Sequence, residues 1–177
     1  MLNVRIIGEA RLEQMKYNYT NNRNDYLTSN PLLEQIWAFV LWTLKKVNNY
    51  TFDLDTCCSQ RNIPAKHYYI DGETDGLTAD WMKFNYCNPP FNECEKWVKK
   101  AVEEQKKGNT TVMLIPARTE TMYWQDNILF EGEQPCKGVA VKFLPKKYCF
   151  LNPETHRSMG VFKNALAIVI FNGEYYG

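Results

Sequence analysis

The stretch Phe84-Asn85-Tyr86-Cys87-Asn88-Pro89-Pro90-Phe91-Asn92 gathers the residue types with the most chemical potential in this chain. Pro89 and Pro90 fix φ and remove two amide donors, so the carbonyls of this turn are kept out of a regular ladder and remain able to accept. Asn88 adds a side-chain oxygen and Phe91 a flat apolar face. Acceptors beside a stacking surface suit a planar group that carries an amine. The amine lone pair of an aromatic ring is delocalised and reacts poorly. Two acceptors, the Asn88 side-chain oxygen and the Pro89 carbonyl, could hold both amine hydrogens and favour a more tetrahedral nitrogen. A methyl group on a sulfonium then needs only in-line approach, without an acid catalyst. The plainer reading of the same residues is a tight strand-to-helix turn.

The elements around this turn alternate. Leu32, Leu33, Ile36, Phe39, Val40 and Leu44 recur at helical spacing, with Asn30 as N-cap and Pro31 at the first helical position. Tyr50 to Cys58 reads as a strand ending in acidic and small residues, where Asp53 and Asp55 would face a ligand outside the carboxyl edge of an open sheet. The following residues, through Gly72, show no period and include Pro64, which predicts irregular chain. Thr78 to Met82 reads as a helical turn.

After the Asn-Pro-Pro-Phe turn, Asn92 with Glu95 predicts an N-cap. Cys94, Trp97, Val98, Ala101, Val102 and Gln105 form one helix face, and Gly108 ends it. Its lysines, Lys96, Lys99, Lys100, Lys106 and Lys107, read as a solvated face. Thr110 to Pro116 is a continuous apolar strand of the kind buried on both sheet faces. Met122 to Phe130 reads as a helical patch, Gly138 to Leu144 as a strand, 145–164 as loop, and Ala165 to Phe171 as the closing strand. The alternation predicts a three-layer α/β domain with a mostly parallel sheet over 25–177, preceded by a partly ordered arm at 1–24.

Composition limits the partners. The net charge of +1 offers no global field for a polyanion, so nucleic-acid contact must come from local Lys/Arg clusters. No apolar run spans a bilayer, and the N-terminus lacks a signal-peptide core, which points to a soluble, cytosolic protein without membrane contact. The six cysteines include no Cys-x-x-Cys, and His67 and His156 stand apart from any pair of them, so no metal is expected and the thiols read as reduced.

Five blocks in order resemble the small phage-type DNA adenine methyltransferases of the Dam family. They are Asp25-Tyr26-Leu27-Thr28, Leu54-Asp55-Thr56-Cys57-Cys58, Asp75-Gly76-Leu77 with Asp80-Trp81, Asn88-Pro89-Pro90-Phe91, and Pro116 to Thr121 with Trp124. The resemblance implies a Rossmann-like fold using S-adenosyl-L-methionine as cofactor, acting on duplex DNA with a flipped adenine in the bacterial host cytoplasm. It implies a cofactor pocket drawn from Tyr26, Thr28, Asp53, Asp55, Cys57, Asp75 and Asn88, and catalysis by Asn88, Pro89, Pro90 and Phe91. Arg118, Thr119, Trp124, Lys146 and Lys147 would meet the substrate. Ser29, Cys58 and Glu120 depart from the family's usual Pro, Ala and Asp, and no separate target-recognition domain is visible. Two rival readings share these residues: methylation of an RNA base or a glutamine amide, and a binding protein that keeps the fold without turnover.

Overall fold

The computed structural model describes residues 26–45, 50–130, 133–145 and 148–176. The arm expected at 1–24 and the pair Lys146 and Lys147 lie outside the described residues.

Helix α1 runs Asn30–Leu44. Strands β1 (Phe52–Cys58), β2 (Ala65–Ile70) and β3 (Phe84–Cys87) follow, then helix α2 (Cys94–Lys106) and strand β4 (Thr110–Pro116). Helix α3 spans Met122–Asn127, and the short strands β5 (Leu129–Phe130) and β6 (Gln134–Pro135) pair with each other. Strand β7 (Val139–Phe143) is followed by a hairpin of β8 (Cys149–Leu151) and β9 (Ser158–Val161). Strand β10 (Leu166–Phe171) and a 3-10 turn at Gly173–Tyr175 complete the described chain.

The main sheet has six strands in the order β2-β1-β3-β4-β10-β7. Strands β2, β1, β3 and β4 run parallel, while β10 is antiparallel to both β4 and β7. The sheet is therefore mostly parallel, and β10 lies inside it with β7 at the edge. Every residue of β4 and β10 is buried, on both faces, so helices must cover the sheet on two sides. On one, α1 crosses from β1, where Trp37 stacks on Phe52 at 4.4 Å, to β7, where Lys142 donates to Gln35. Helix α2 covers β4 and β10, and Gln105 at its end donates to the carbonyls of Gly138 and Asn172. This is a three-layer α/β, Rossmann-like architecture.

Several local expectations are corrected. Residues 65–70 form an edge strand, whose exposed Lys66 and His67 and half-buried Tyr68 and Tyr69 erase any apolar period. The hairpin β8–β9 replaces most of the loop expected at 145–164. Residues 75–79 form a turn in which the Asp75 carbonyl accepts from the amides of Thr78 and Ala79. Helix α1 begins at Asn30, so Ser29 is its N-cap, and α2 begins at Cys94 with Glu93 as cap, displacing Asn92. Lys100 is buried instead of solvated. Its ammonium lies 3.0 Å from the fully buried Glu104, which also binds Lys107 at 2.8 Å and accepts from Asn109. Two of the chain's glycines are dictated by geometry: Gly108 has φ +84° at the end of α2, and a Cβ on Gly76 would sit 2.0 Å from the Thr56 carbonyl.

Candidate active site

Parallel pairing decides where the chemistry collects. Asp55 is in register with Tyr86, and Cys87 with Met113, so β1, β3 and β4 end at one sheet edge. That edge carries Asp55 to Cys58, Asn88 to Phe91, and Ala117 to Thr119 side by side.

Asn88 is anchored by an unusual bond. Its Nδ2 donates to the Tyr26 carbonyl at 2.8 Å, which fixes the amide's orientation. Its Oδ1 is buried and has no hydrogen-bond partner among the described residues. Buried acceptors are almost always satisfied in native proteins, so this oxygen is available to accept from a donor that enters the cavity. The Pro90 carbonyl is occupied by the Glu93 amide at 2.9 Å as the chain turns into α2.

Asn88, Pro89 and Pro90 share a narrow cavity with Tyr26, Asp55 and Cys57. Asp55 is 2% exposed, and burial pushes its carboxyl up to about 8, against which the Cys57 amide at 3.4 Å gives only weak relief. Thr28 is buried just behind: its hydroxyl is hydrogen-bonded to the Tyr86 hydroxyl at 2.7 Å, and its carbonyl accepts from Asn62 Nδ2 at 3.0 Å. A second, wider cleft of about 530 Å³ opens beside the narrow one, sharing Cys57, Cys58 and Pro90 with it. Asp75 lines this cleft while its Oδ1 accepts from the Leu77 amide, forming the turn that carries Gly76 against β1. Trp81 closes the same motif by donating to the Gly76 carbonyl at 2.7 Å and stacking on Trp97.

Other expected residues are placed differently. Asp53 stands outside the cavity and pairs with Lys66 of β2 at 2.6 Å. Phe91 is only 8% exposed, held in a cluster with Tyr26 at 5.6 Å, Phe162 at 5.2 Å and Phe150 at 5.7 Å. A planar ligand would have to part these rings to stack there. Arg118 and Thr119 are half-buried at the end of β4. The charge of Arg118 opposes the rise that burial imposes on the Cys94 thiol, which still lies at about 11. Trp124 is wholly buried and stacks on Phe143, so its expected contact with substrate gives way to anchoring α3 on the sheet.

Sequence reasoning missed four contributors. Phe150 and Phe162 come from the hairpin, which is bridged to the Tyr26 segment through Leu27 and Leu151. Asp71 stands at the carboxyl end of β2 on the wide cleft, and was hidden because β2 itself was not legible. Gln60 lies in the narrow cavity, in a stretch with no period to mark it.

The chain as a whole has counterparts among known proteins. The family model described as DNA N-6-adenine-methyltransferase (Dam) matches residues 32–135. The chain belongs to this family. The DNA N-6-adenine-methyltransferase of Haemophilus phage HP1 is 25% identical over 142 residues, covering 78% of this chain and 79% of that one. That of Escherichia phage T1 is 32% identical over 77 residues, covering 42% of this chain and 32% of that one. Among solved structures, the "putative RNA methyltransferase PH1948" of Pyrococcus horikoshii superposes with a TM-score of 0.57 at 13% identity, over 97% of this chain and 98% of that one. It shares the fold. Of the five blocks of the Dam family resemblance, those at Asp55–Cys58, Asn88–Phe91 and Pro116–Thr119 meet at the sheet edge. Among the described residues no cluster of three or more His, Cys, Asp or Glu could hold a metal, and no helix is long and apolar enough to cross a membrane.

Proposed function

We propose that this chain, a phage or prophage product working in the bacterial cytoplasm, methylates the exocyclic amine of adenine in duplex DNA using S-adenosyl-L-methionine. The observation that carries this reading is the Asn88 Oδ1: buried, without a partner, and fixed by its own amide's bond to Tyr26. An acceptor in that state fits an incoming amine hydrogen. The Pro89 carbonyl supplies the second acceptor, and together they draw the nitrogen toward a geometry in which its lone pair is free to attack. The bound cofactor supplies an electrophilic methyl on sulfur, so that an S–C bond is exchanged for an N–C bond and one amine proton is released.

The cofactor fits the residues present. The wide cleft has the volume for a nucleoside, and Asp71 at the carboxyl end of β2 stands where an acidic side chain binds a ribose diol in nucleotide-binding sheets. Asp55, Cys57 and the Tyr26–Thr28 segment would line the methionine side, and Asp75 would hold the turn that walls the cleft. Asp53, engaged by Lys66, would act on the cofactor only through the strand. A target adenine must leave its duplex to reach Asn88, and Phe91 would stack on it once the aromatic cluster parts. Arg118 and Thr119, half-buried at the end of β4, would steady the nucleic acid at the rim, and Lys146 and Lys147 remain substrate candidates from the sequence. On this reading sequence specificity would be relaxed.

The test is nucleoside analysis after incubation with the cofactor and unmethylated DNA or RNA. N6-methyladenine in the DNA supports the proposal. A methylated base confined to RNA, or no transfer to either polymer, contradicts it.

A further inference from the structure

The narrow cavity contains a second orphaned amide. Gln60 is 6% exposed and lines the cavity, yet neither its Oε1 nor its Nε2 has a hydrogen-bond partner among the described residues. Leaving one buried donor and one buried acceptor unmade is costly, and native interiors rarely tolerate it without a use. Both sides of one planar amide are open at once, so a matching ligand must bring an acceptor and a donor together.

Size narrows the choice. The narrow cavity offers only about 30 Å³, against about 530 Å³ in the cleft that joins it at Cys57, Cys58 and Pro90. A purine belongs in the larger space, whereas a few-atom polar head group suits the smaller one. Charge narrows it further. The same small space holds the Asp55 carboxyl, whose carbonyl oxygen can accept from an ammonium, while the Gln60 Nε2 offers itself to an anion.

We propose that Gln60 is the positioning residue for the α-amino-carboxylate end of the cofactor, its Nε2 donating to the carboxylate and its Oε1 accepting from the ammonium. This rests on the cofactor reading given above. The β1–β2 connection would thereby grip the amino-acid end while the wide cleft holds the nucleoside. The grip is braced from behind, because Asn62, two residues on, donates to the Thr28 carbonyl.

The decisive comparison uses two ligands that share the thioether nucleoside and differ in the amino-carboxylate: S-adenosylhomocysteine and 5′-methylthioadenosine. Calorimetry on the full chain should show wild type binding the first about thirtyfold or more tighter than the second. Gln60→Met keeps the length and removes both polar atoms. It should weaken S-adenosylhomocysteine about tenfold or more and leave methylthioadenosine within about twofold. Its unliganded melting temperature should stay equal or rise, because an unsatisfied buried amide has been removed, a result that a merely structural glutamine would not give. If Gln60→Met does not fold, Gln60→Leu decides, since it also removes both polar atoms and should weaken S-adenosylhomocysteine while sparing methylthioadenosine. Equal loss for both ligands, or loss for neither, overturns the assignment. Wild type that binds both ligands equally overturns this inference alone, whereas wild type that binds neither overturns the cofactor reading and this inference with it.

Discussion

At the scale of single residues, the site depends on polar groups kept short of partners. Asn88 spends its donor on Tyr26 and keeps its acceptor, so Asn88→Ala should lower methyl transfer by about 100-fold or more while S-adenosylhomocysteine affinity stays near wild type. Asp55 gives a second prediction. Its folded value of about 8 exceeds its ordinary 3.8, so the native state binds a proton that the unfolded chain releases between those values. Stability is then full below about pH 4 with respect to this group and falls as pH rises toward 8, by up to about 1.4 kcal/mol per pH unit. Denaturant melts of wild type and Asp55→Asn across that range should show the slope in the first and its loss in the second; parallel curves would refute the buried acid. The residue scale is also where the sequence was most informative about Asn88 and Asp55, because a rare tetrad and a strand-end carboxylate are visible locally. It was silent on Gln60 and misleading on Trp124, since neither orphaned amides nor complete burial leave a local pattern.

At the scale of elements, what matters is how rigidly the sheet edge is framed. Gly76 brings its turn against β1 so closely that a methyl group would overlap the Thr56 carbonyl. Gly76→Ala should cost about 1–3 kcal/mol in denaturant unfolding, the range for overpacking in a close-packed site, and should weaken nucleoside binding in the adjoining cleft. Glu104 ties the end of α2 to Lys100, Lys107 and Asn109 while fully buried. Glu104→Ala strands the Lys100 ammonium and should cost about 3–5 kcal/mol, and an unchanged unfolding midpoint would contradict that role. The long periodic elements α1, α2, β4 and β10 were legible because apolar spacing on a buried face is dictated by packing. Strand β2 and the β8–β9 hairpin were not, because edge and surface strands carry polar side chains on their open side and borrow their pairing from distant chain. The helix caps were each misplaced by one residue for a related reason: the residue types fit several cap positions, and packing chose among them.

At the scale of the whole molecule, charge sets how the protein can meet a polyanion. Lys+Arg number 21 against 20 Asp+Glu, and Lys66, Lys96, Lys99, Lys100 and Lys107 are engaged in ion pairs. With a net charge of only +1 to gather phosphate, the apparent affinity for duplex DNA should fall with salt at a log–log slope shallower than about −4, whereas a slope near −8 would reveal a concentrated basic track. Three strand ends meet at one sheet edge, where the Asn88 acceptor is left without a partner among the described residues. The most direct test measures N6-methyladenine formed in unmethylated DNA by wild type and Asn88→Ala, alongside cofactor-product binding by each. The account predicts methylated adenine from wild type alone with near-equal binding by both proteins; equal methylation by the two would contradict it.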